Sequence, residues 1–258
     1  MVPIRERRHT GQIHRHFDLR AETYGATSTW THQERLARII ELLTIERDTP
    51  SFVDVGAGIG TMRRPLLNRF PGARYVGVDL SLRMLQNADQ GTSAYAQADA
   101  HALPLLSHSF DCVLARQVMH YLERPVDAIL EFRRVLRPDG SVLIIQGTPL
   151  PGDDASWWKS VMQVAQPVRQ HRWTADGLRS VLRKGGFQTD IETTETVRLK
   201  LHDWLSYQGL DPRSVRLARS LHEKAPGSVK AGRKFKELGD GDIEFDAFFT
   251  MLLARPCR

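Results

Sequence analysis

From Ser51 onward, short apolar runs alternate with stretches whose apolar positions recur every three or four residues. The first kind reads as buried strands and the second as helices with one apolar face. "SFVDV" predicts a first strand, "TMRRPLLNRF" a helix stopped by Pro71-Gly72, and "ARYVGVDL" a second strand. "SLRMLQNA" predicts a helix capped by Ser81, whose hydroxyl suits the free N–H groups of a first turn. "SAYAQAD" and "FDCVLAR" give a third and a fourth strand. "PVDAILEFRRVLR" starts with Pro125 in the first turn and sets Ile129, Phe132, Val135 and Leu136 on one face. The turn "PDG" and a fifth strand, "SVLIIQG", follow. Strands and helices in strict alternation predict a parallel sheet covered on both faces.

Beyond Gly147 the rhythm loosens. Ala155 to Ala165 reads as a helix carrying Trp157 and Trp158, and "TADGLRSVLRKGGF" as a helix capped by Thr174 and ended by Gly185-Gly186. "FQTDIETTETVRL" predicts a strand, His202 to Gly241 a polar, basic, partly helical stretch, and "IEFDAFFTMLLAR" a closing apolar strand. Before the sheet, Arg20 to Leu43 reads as two helical pieces with Leu36, Ile39, Ile40 and Leu43 facing a core. The expected organisation is an N-terminal helical segment or lid over 1–43 and one domain over 44–258. Lid insertions are expected at about 148–175 and 200–240.

Composition changes this picture little. In 258 residues, 41% hydrophobic and 26% charged is ordinary for a soluble globular chain. No apolar run reaches membrane-spanning length, and the basic N-terminus lacks the apolar stretch of a secretory signal. Two cysteines, Cys112 and Cys257, fit neither a zinc site nor a disulfide framework, so no metal is expected and a cytoplasmic setting is the default. The net charge of +6 gathers in the C-terminal half, in Arg169, Arg172, Arg179, Arg183 and Lys184, and again between Asp211 and Lys236. Such clusters fit a solvated face, and equally a nucleic-acid or anionic partner.

The chemistry begins at "VDVGAGIGTM". A strand, a glycine loop and a helix in succession bring backbone N–H groups and a positive helix end to the carboxyl edge of a sheet. Glycines there permit positive φ and close ligand approach. Dinucleotide sites need glycine at the sixth position of this loop, which here is Thr61, and triphosphate loops need a lysine that is missing. Asp79 ends the second strand, where a carboxylate accepts from ribose hydroxyls, and Asp99 follows the third, where it can accept from an adenine amine. Together they indicate a nucleoside ligand.

The stretches "FVDVGAGIG", "YVGVDLSLRML", "AQADAHALPLLSHSFD" and "EFRRVLRPDGSVLII" resemble the successive motifs of class I S-adenosylmethionine-dependent methyltransferases. Within that family they are most similar to the small-molecule branch that includes the ubiquinone/menaquinone-biosynthesis C-methyltransferases (type 11). The resemblance spans Ser51 to Gln146. It implies a Rossmann-like three-layer α/β sandwich with a seven-strand, mostly parallel sheet whose last strand is antiparallel, plus helical lid elements. It further implies that Asp54, Gly56, Gly58 and Gly60 surround the methionine moiety. Asp79 would hold the ribose, Leu80 would pack on the adenine, and Asp99 would meet its amine beside the Ala100 backbone. Arg116 falls where the family places a small polar residue at the amino-acid end. "AETYGA", Ala21 to Ala26, resembles a segment that covers that end, with Gly25 in place of the usual Asp and Tyr24 as its candidate residue.

Methyl transfer needs an aligned nucleophile, and a base only where the acceptor holds its proton tightly. His120 is the first candidate base, with Tyr121 beside it, and His171 a candidate from the substrate lid. The expected activity is S-adenosylmethionine-dependent O-, N- or C-methylation of a small molecule, including an anionic one. Two alternatives stand beside it. One is an RNA methyltransferase using the basic insert, although "ARQVMH" replaces the Asn/Asp-Pro-Pro-aromatic turn of amino-directed nucleic-acid enzymes and Cys112 lies mid-strand. The other is a protein that binds the donor without methylating.

Overall fold

A computed structural model of the chain describes residues 4–22, 24, 32–89, 91 and 93–257. One sheet organises it. The strands are β1 (Ser51–Val55), β2 (Arg74–Asp79), β3 (Ala94–Gln97), β4 (Phe110–Arg116), β5 (Leu136–Gly147), β6 (Phe187–Lys200), β7 (Lys236–Glu237) and β8 (Ile243–Pro256). Their order is β3-β2-β1-β4-β5-β8-β6, with the two-residue β7 pairing beside β8. The pairs among β1 to β5 are parallel, and β8 runs antiparallel to β5, β6 and β7. Seven full strands with an antiparallel last one match the expectation, and β7 is a short eighth.

Parallel neighbours require crossovers, and helices supply them. α3 (Arg63–Arg69) joins β1 to β2, α4 (Leu82–Gln86) joins β2 to β3, and α5 (Pro125–Val135) joins β4 to β5. Strand residues divide cleanly between the two faces, because successive side chains point to opposite sides. Phe52, Cys112, Leu114, Leu143 and Ile145 join one buried cluster with Leu36, Ile39 and Ile40 of α2 (Gln33–Ile40). Val53, Val55, Val113, Ala115, Val142 and Ile144 join the other, under α5 and α7 (Ala175–Lys184). Two covered faces explain why these strands read as continuous apolar runs.

Two features depart from the sequence reading. β5 begins at Leu136, not Ser141, because Leu136 pairs with Phe110 before the ladder breaks and resumes with Ser141 opposite Cys112. Pro138 to Gly140 bulges out between them. The basic N-terminus is a helix, α1 (Ile4–Arg20), whose apolar Ile13 and Phe17 are too few to show a period in sequence. The region after β5 folds as α6 (Asp153–Ala165), α8 (Leu201–Tyr207), α9 (Pro212–Glu223) and α10 (Gly227–Gly232). These helices close over an aromatic core in which Trp157, Trp204 and Phe245 surround the buried His222.

The chain reverses direction of growth between β1 and β4, the two strands flanking the switch. Ligand crevices in such sheets open at the carboxyl ends of those strands.

Candidate active site

After β1 the chain turns tightly over the end of β2. Gly56 and Ala57 both donate to Val78 O, at 2.8 and 3.0 Å, and Gly58 N–H donates to Asp79 Oδ2 at 2.8 Å. Gly58 has φ +56° and Gly60 φ +73°, conformations that a side chain resists. The other Asp79 oxygen accepts from Ser81 N–H at 2.8 Å. Burial raises the Asp79 pKa, and those backbone donors oppose the shift. Each carboxylate oxygen retains a second lone pair for a ligand hydroxyl.

Two adjoining cavities open here. The larger, about 360 Å³, is lined by Tyr24, Gly56, Gly58, Asp79, Leu80, Asp99, Ala100 and Arg116, all expected. The smaller, about 80 Å³, lies between the glycine loop, β8 and the helical insert. Phe17, Tyr24, Gly56, Gly58, Arg116, Gln117 and Tyr121 line both, so the cavities meet along one wall.

Two expected cofactor residues stand behind that wall instead of on it. Asp54 is 2% exposed and accepts from the Tyr75 hydroxyl at 2.7 Å, and burial pushes its pKa up to about 6. Its strand position turns it toward the α2 and α3 face, where Tyr75 and Phe52 also point. Gly60 sits against the Tyr95 hydroxyl, where an added Cβ would stand 2.4 Å from it. Neither lines either cavity. Thr23, Gly25 and Ala26 of the "AETYGA" segment lie outside the described residues, so that resemblance rests here on Tyr24 alone.

Asp99 is already engaged. Its Oδ1 accepts from His101 N–H at 3.0 Å and lies 2.5 Å from His101 Nδ1. Burial alone would raise its pKa, but these contacts lower it overall. His101 was not foreseen, nor was the roof of the larger cavity, formed by Thr10, Ile13, His14 and Phe17 of α1. Three bonds hold that roof down. Ser81 Oγ donates to Asp18 at 2.6 Å, Asn87 Nδ2 to Ala21 O at 2.9 Å, and Arg20 to Tyr207 O at 2.7 Å.

Of the candidate catalytic residues, His120 and Tyr121 line the smaller cavity, and Tyr121 also the larger. His171 lines neither; its ring stacks on Trp173 at 4.9 Å and its N–H donates to His120 O at 3.2 Å. His120 is 1% exposed, and burial, with Arg169 nearby, drives its pKa well below the ordinary histidine value. It is neutral at physiological pH.

The rest of the smaller cavity draws on the expected lid insertions, which carry Trp158, Arg169, Trp204 and Tyr207, and on Arg116, which was expected at the donor. Arg20, Arg116 and Arg169 face it, with Trp158, Trp204, Tyr207 and Phe249, and no carboxylate is among its described lining residues. Arg169 bonds to two neutral groups, the Gln166 carboxamide and the Tyr121 hydroxyl, with the Arg172 cation nearby. Burial lowers its pKa to about 10, which leaves it cationic at neutral pH.

The basic segment is partly internal. Arg233 is 0% exposed, its Nη2 donates to Asp154 at 2.8 Å, and it lies 4.5 Å from the Trp158 ring centre. Arg219 pairs with Asp242 at 3.3 Å. Arg233 is thus no RNA contact, and neutralising it tests folding. Lys234 and Lys236 are exposed.

The residues present fit an S-adenosyl ligand. A carboxylate ends β2 with two lone pairs to offer, the larger cavity falls in the volume range of small-molecule sites, and Gly58 leaves open the path along the shared wall. Among the described residues an added Cβ at Gly58 meets nothing closer than Tyr24 Cε1 at 4.0 Å, so a side chain there would stand in the cavity.

Comparisons with known proteins agree. Residues 53–144 match the family model described as a methyltransferase domain. The trans-aconitate 2-methyltransferase of Azoarcus sp. BH72 is 30% identical over 200 residues, which is 72% of this chain and 78% of that protein. The ubiquinone/menaquinone biosynthesis C-methyltransferase UbiE of Paracoccus denitrificans is 33% identical over 119 residues, 43% of this chain and 48% of that one. The chain spans about half the length of the first curated relatives it matches. A solved structure from Bacillus halodurans C-125, described as that of a methyltransferase, superposes with a TM-score of 0.78 at 18% identity. It covers 87% of this chain and 100% of its own. No helix among the described residues is long and apolar enough to cross a membrane.

Proposed function

We propose, for a chain that belongs to the class I S-adenosylmethionine-dependent methyltransferases and resembles their type 11 branch, that it methylates a small anionic molecule held in the smaller cavity. The observation that carries this reading is the lining of that cavity by three arginines and no described carboxylate, directly across a shared wall from the nucleoside cleft. When bound, the donor supplies an electrophilic methyl group on a sulfonium.

The chain's own residues do the rest. Asp79 accepts from the ribose hydroxyls, Leu80 and Ala100 flank the base, and Asp99, held by His101, faces its amine. Arg116 donates to Thr61 Oγ1 at 2.6 Å and, lining both cavities, is placed to bind the carboxylate end of the donor. Phe17, Tyr24 and Tyr121 stand between the cavities and exclude water where the methyl group crosses. Holding two reactants in line can supply about 7–11 kcal/mol in favourable cases, with no covalent intermediate. That one relative is named for trans-aconitate, a carboxylate, supports an anionic acceptor here.

The test is calorimetric. Asp79→Ala should weaken S-adenosylhomocysteine binding at least tenfold while the variant melts as a folded protein; unchanged affinity would refute the ribose assignment. Formation of S-adenosylhomocysteine with added small acids separates an enzyme from a protein that only binds the donor.

A further inference from the structure

The smaller cavity carries one more piece of chemistry, and it bears on which atom of the acceptor is methylated. Gln146 Nε2 lies 2.6 Å from His120 Nδ1, and also 3.4 Å from Gln117 Oε1 and 3.5 Å from Gly147 O. Gln117 Oε1 is itself fixed as an acceptor by the Gly147 N–H at 3.4 Å. Two oxygens beside one atom of Gln146 identify that atom as the amide nitrogen. His120 Nδ1 therefore accepts, and the single proton of the neutral ring sits on Nε2. Nε2 has no hydrogen-bond partner among the described residues. The histidine offers the cavity a donor and no base.

The other polar side chains agree. Burial raises the Tyr121 and Tyr207 hydroxyls, so both remain protonated, and the three arginines are cations. No Asp or Glu is among the described lining residues. None of the described lining residues can remove a tightly held proton from a neutral alcohol or an acidic carbon. A neutral amine needs no base, but it would leave the Arg169 guanidinium without an anion to pair with in a water-poor site.

Resting on the methyl-transfer reading above, we infer that the nucleophile is the oxygen of a carboxylate, bound by Arg169 and the His120 Nε2–H, and that the product is a methyl ester. A carboxylate oxygen donates a lone pair to the methyl carbon of the sulfonium donor. The carbon–sulfur pair returns to sulfur, giving a neutral thioether. The negative and positive charges cancel and no proton moves. The stacked pair of Trp158 and Trp204, centroids 6.0 Å apart, offers the rest of the acceptor an apolar wall.

Two measurements test this on the full chain. With S-adenosylhomocysteine saturating, tryptophan fluorescence titrations should show benzoate binding at least tenfold more tightly than benzamide. Arg169→Gln should abolish that preference and leave S-adenosylhomocysteine affinity unchanged; the unmodified chain alone decides the point if the variant melts low. Second, the protein is incubated with methyl-tritiated S-adenosylmethionine and a protein-free extract of small metabolites, and the product is treated with mild alkali. Label released as volatile methanol supports the ester. Alkali-stable label, or benzamide binding as well as benzoate, overturns the carboxylate assignment and leaves methyl transfer standing. No transferred label, with the donor shown to bind, overturns both.

Discussion

Gly58 and Gly60 share a positive φ and sit two residues apart, yet alanine at each should damage a different property. At Gly58 (φ +56°) the only neighbour among the described residues within reach of a new Cβ is Tyr24 Cε1, 4.0 Å away. The fold then bears only the left-handed backbone, about 1–2 kcal/mol, offset in part by about 0.4–1 kcal/mol from a less free unfolded chain. A net cost near 1 kcal/mol lowers the melting temperature by roughly 2–4 °C in a chain of this size. The methyl group, however, stands on the wall common to both cavities, and S-adenosylhomocysteine affinity should drop ten- to a hundredfold, about 1.4–2.8 kcal/mol. At Gly60 (φ +73°) a Cβ would meet the Tyr95 hydroxyl at 2.4 Å and its ring carbon at 3.3 Å. Displacing that ring adds about 1–3 kcal/mol of overpacking to the backbone strain, while the cavity wall is untouched. Urea denaturation and calorimetry on the two variants measure both properties. The reasoning fails if Gly58→Ala binds within twofold of the parent, or if Gly60→Ala loses more affinity than stability.

Asp54 gives a pH signature. Its folded pKa of about 6 lies above the ordinary carboxylate value, so between pH 4 and 6 the unfolded chain ionises first and stability falls as pH rises. The loss is roughly 3 kcal/mol and complete by neutrality. Asp54→Asn, which still accepts from Tyr75, should be about 1–3 kcal/mol more stable than the parent at pH 7.5 and no more stable at pH 4, by urea titration. Taking this difference cancels the opposing titration of His222, whose pKa burial lowers to about 4. An Asn variant less stable at pH 7.5 would contradict it. Arg233→Met leaves the Asp154 carboxylate buried without its partner and should cost about 3–5 kcal/mol, whereas Lys234→Gln should be neutral; equal effects would dismiss the ion pair. Iodoacetamide should modify the native protein once, at exposed Cys257. Buried Cys112, its thiol pushed up to about 12, should react only after unfolding, and two additions to the native state would disprove its burial.

The half of the candidate site proposed to hold the nucleoside was legible because its residues are local. A strand of buried residues, a glycine turn and an acid at the end of the next strand lie within thirty residues, and each type is dictated by backbone geometry. The Ser81 and Thr174 caps were legible for the same reason, and both hydroxyls accept from the N–H groups expected, at 3.1 Å. Asp54 and Gly60 share those motifs, but sequence adjacency says nothing of which side of the loop faces the ligand. Strand alternation sends Asp54 to Tyr75, and the turn sends Gly60 to Tyr95.

The acceptor half had no such signal. Phe17 from α1, Trp158 from α6, Arg169 from the following loop, Tyr207 from α8 and Phe249 from β8 meet across the whole length of the chain. Each looks in isolation like an ordinary helix, loop or strand residue. The sequence by itself determined the sheet, its crossovers and the candidate nucleoside cleft, since periodicity and turn chemistry are written in neighbouring residues. Only the tertiary structure decided that three arginines face a cavity with no acid among its described lining residues, and that Gln146 turns the proton of His120 inward. Those properties belong to contacts between distant segments, and they exist only once the core has closed.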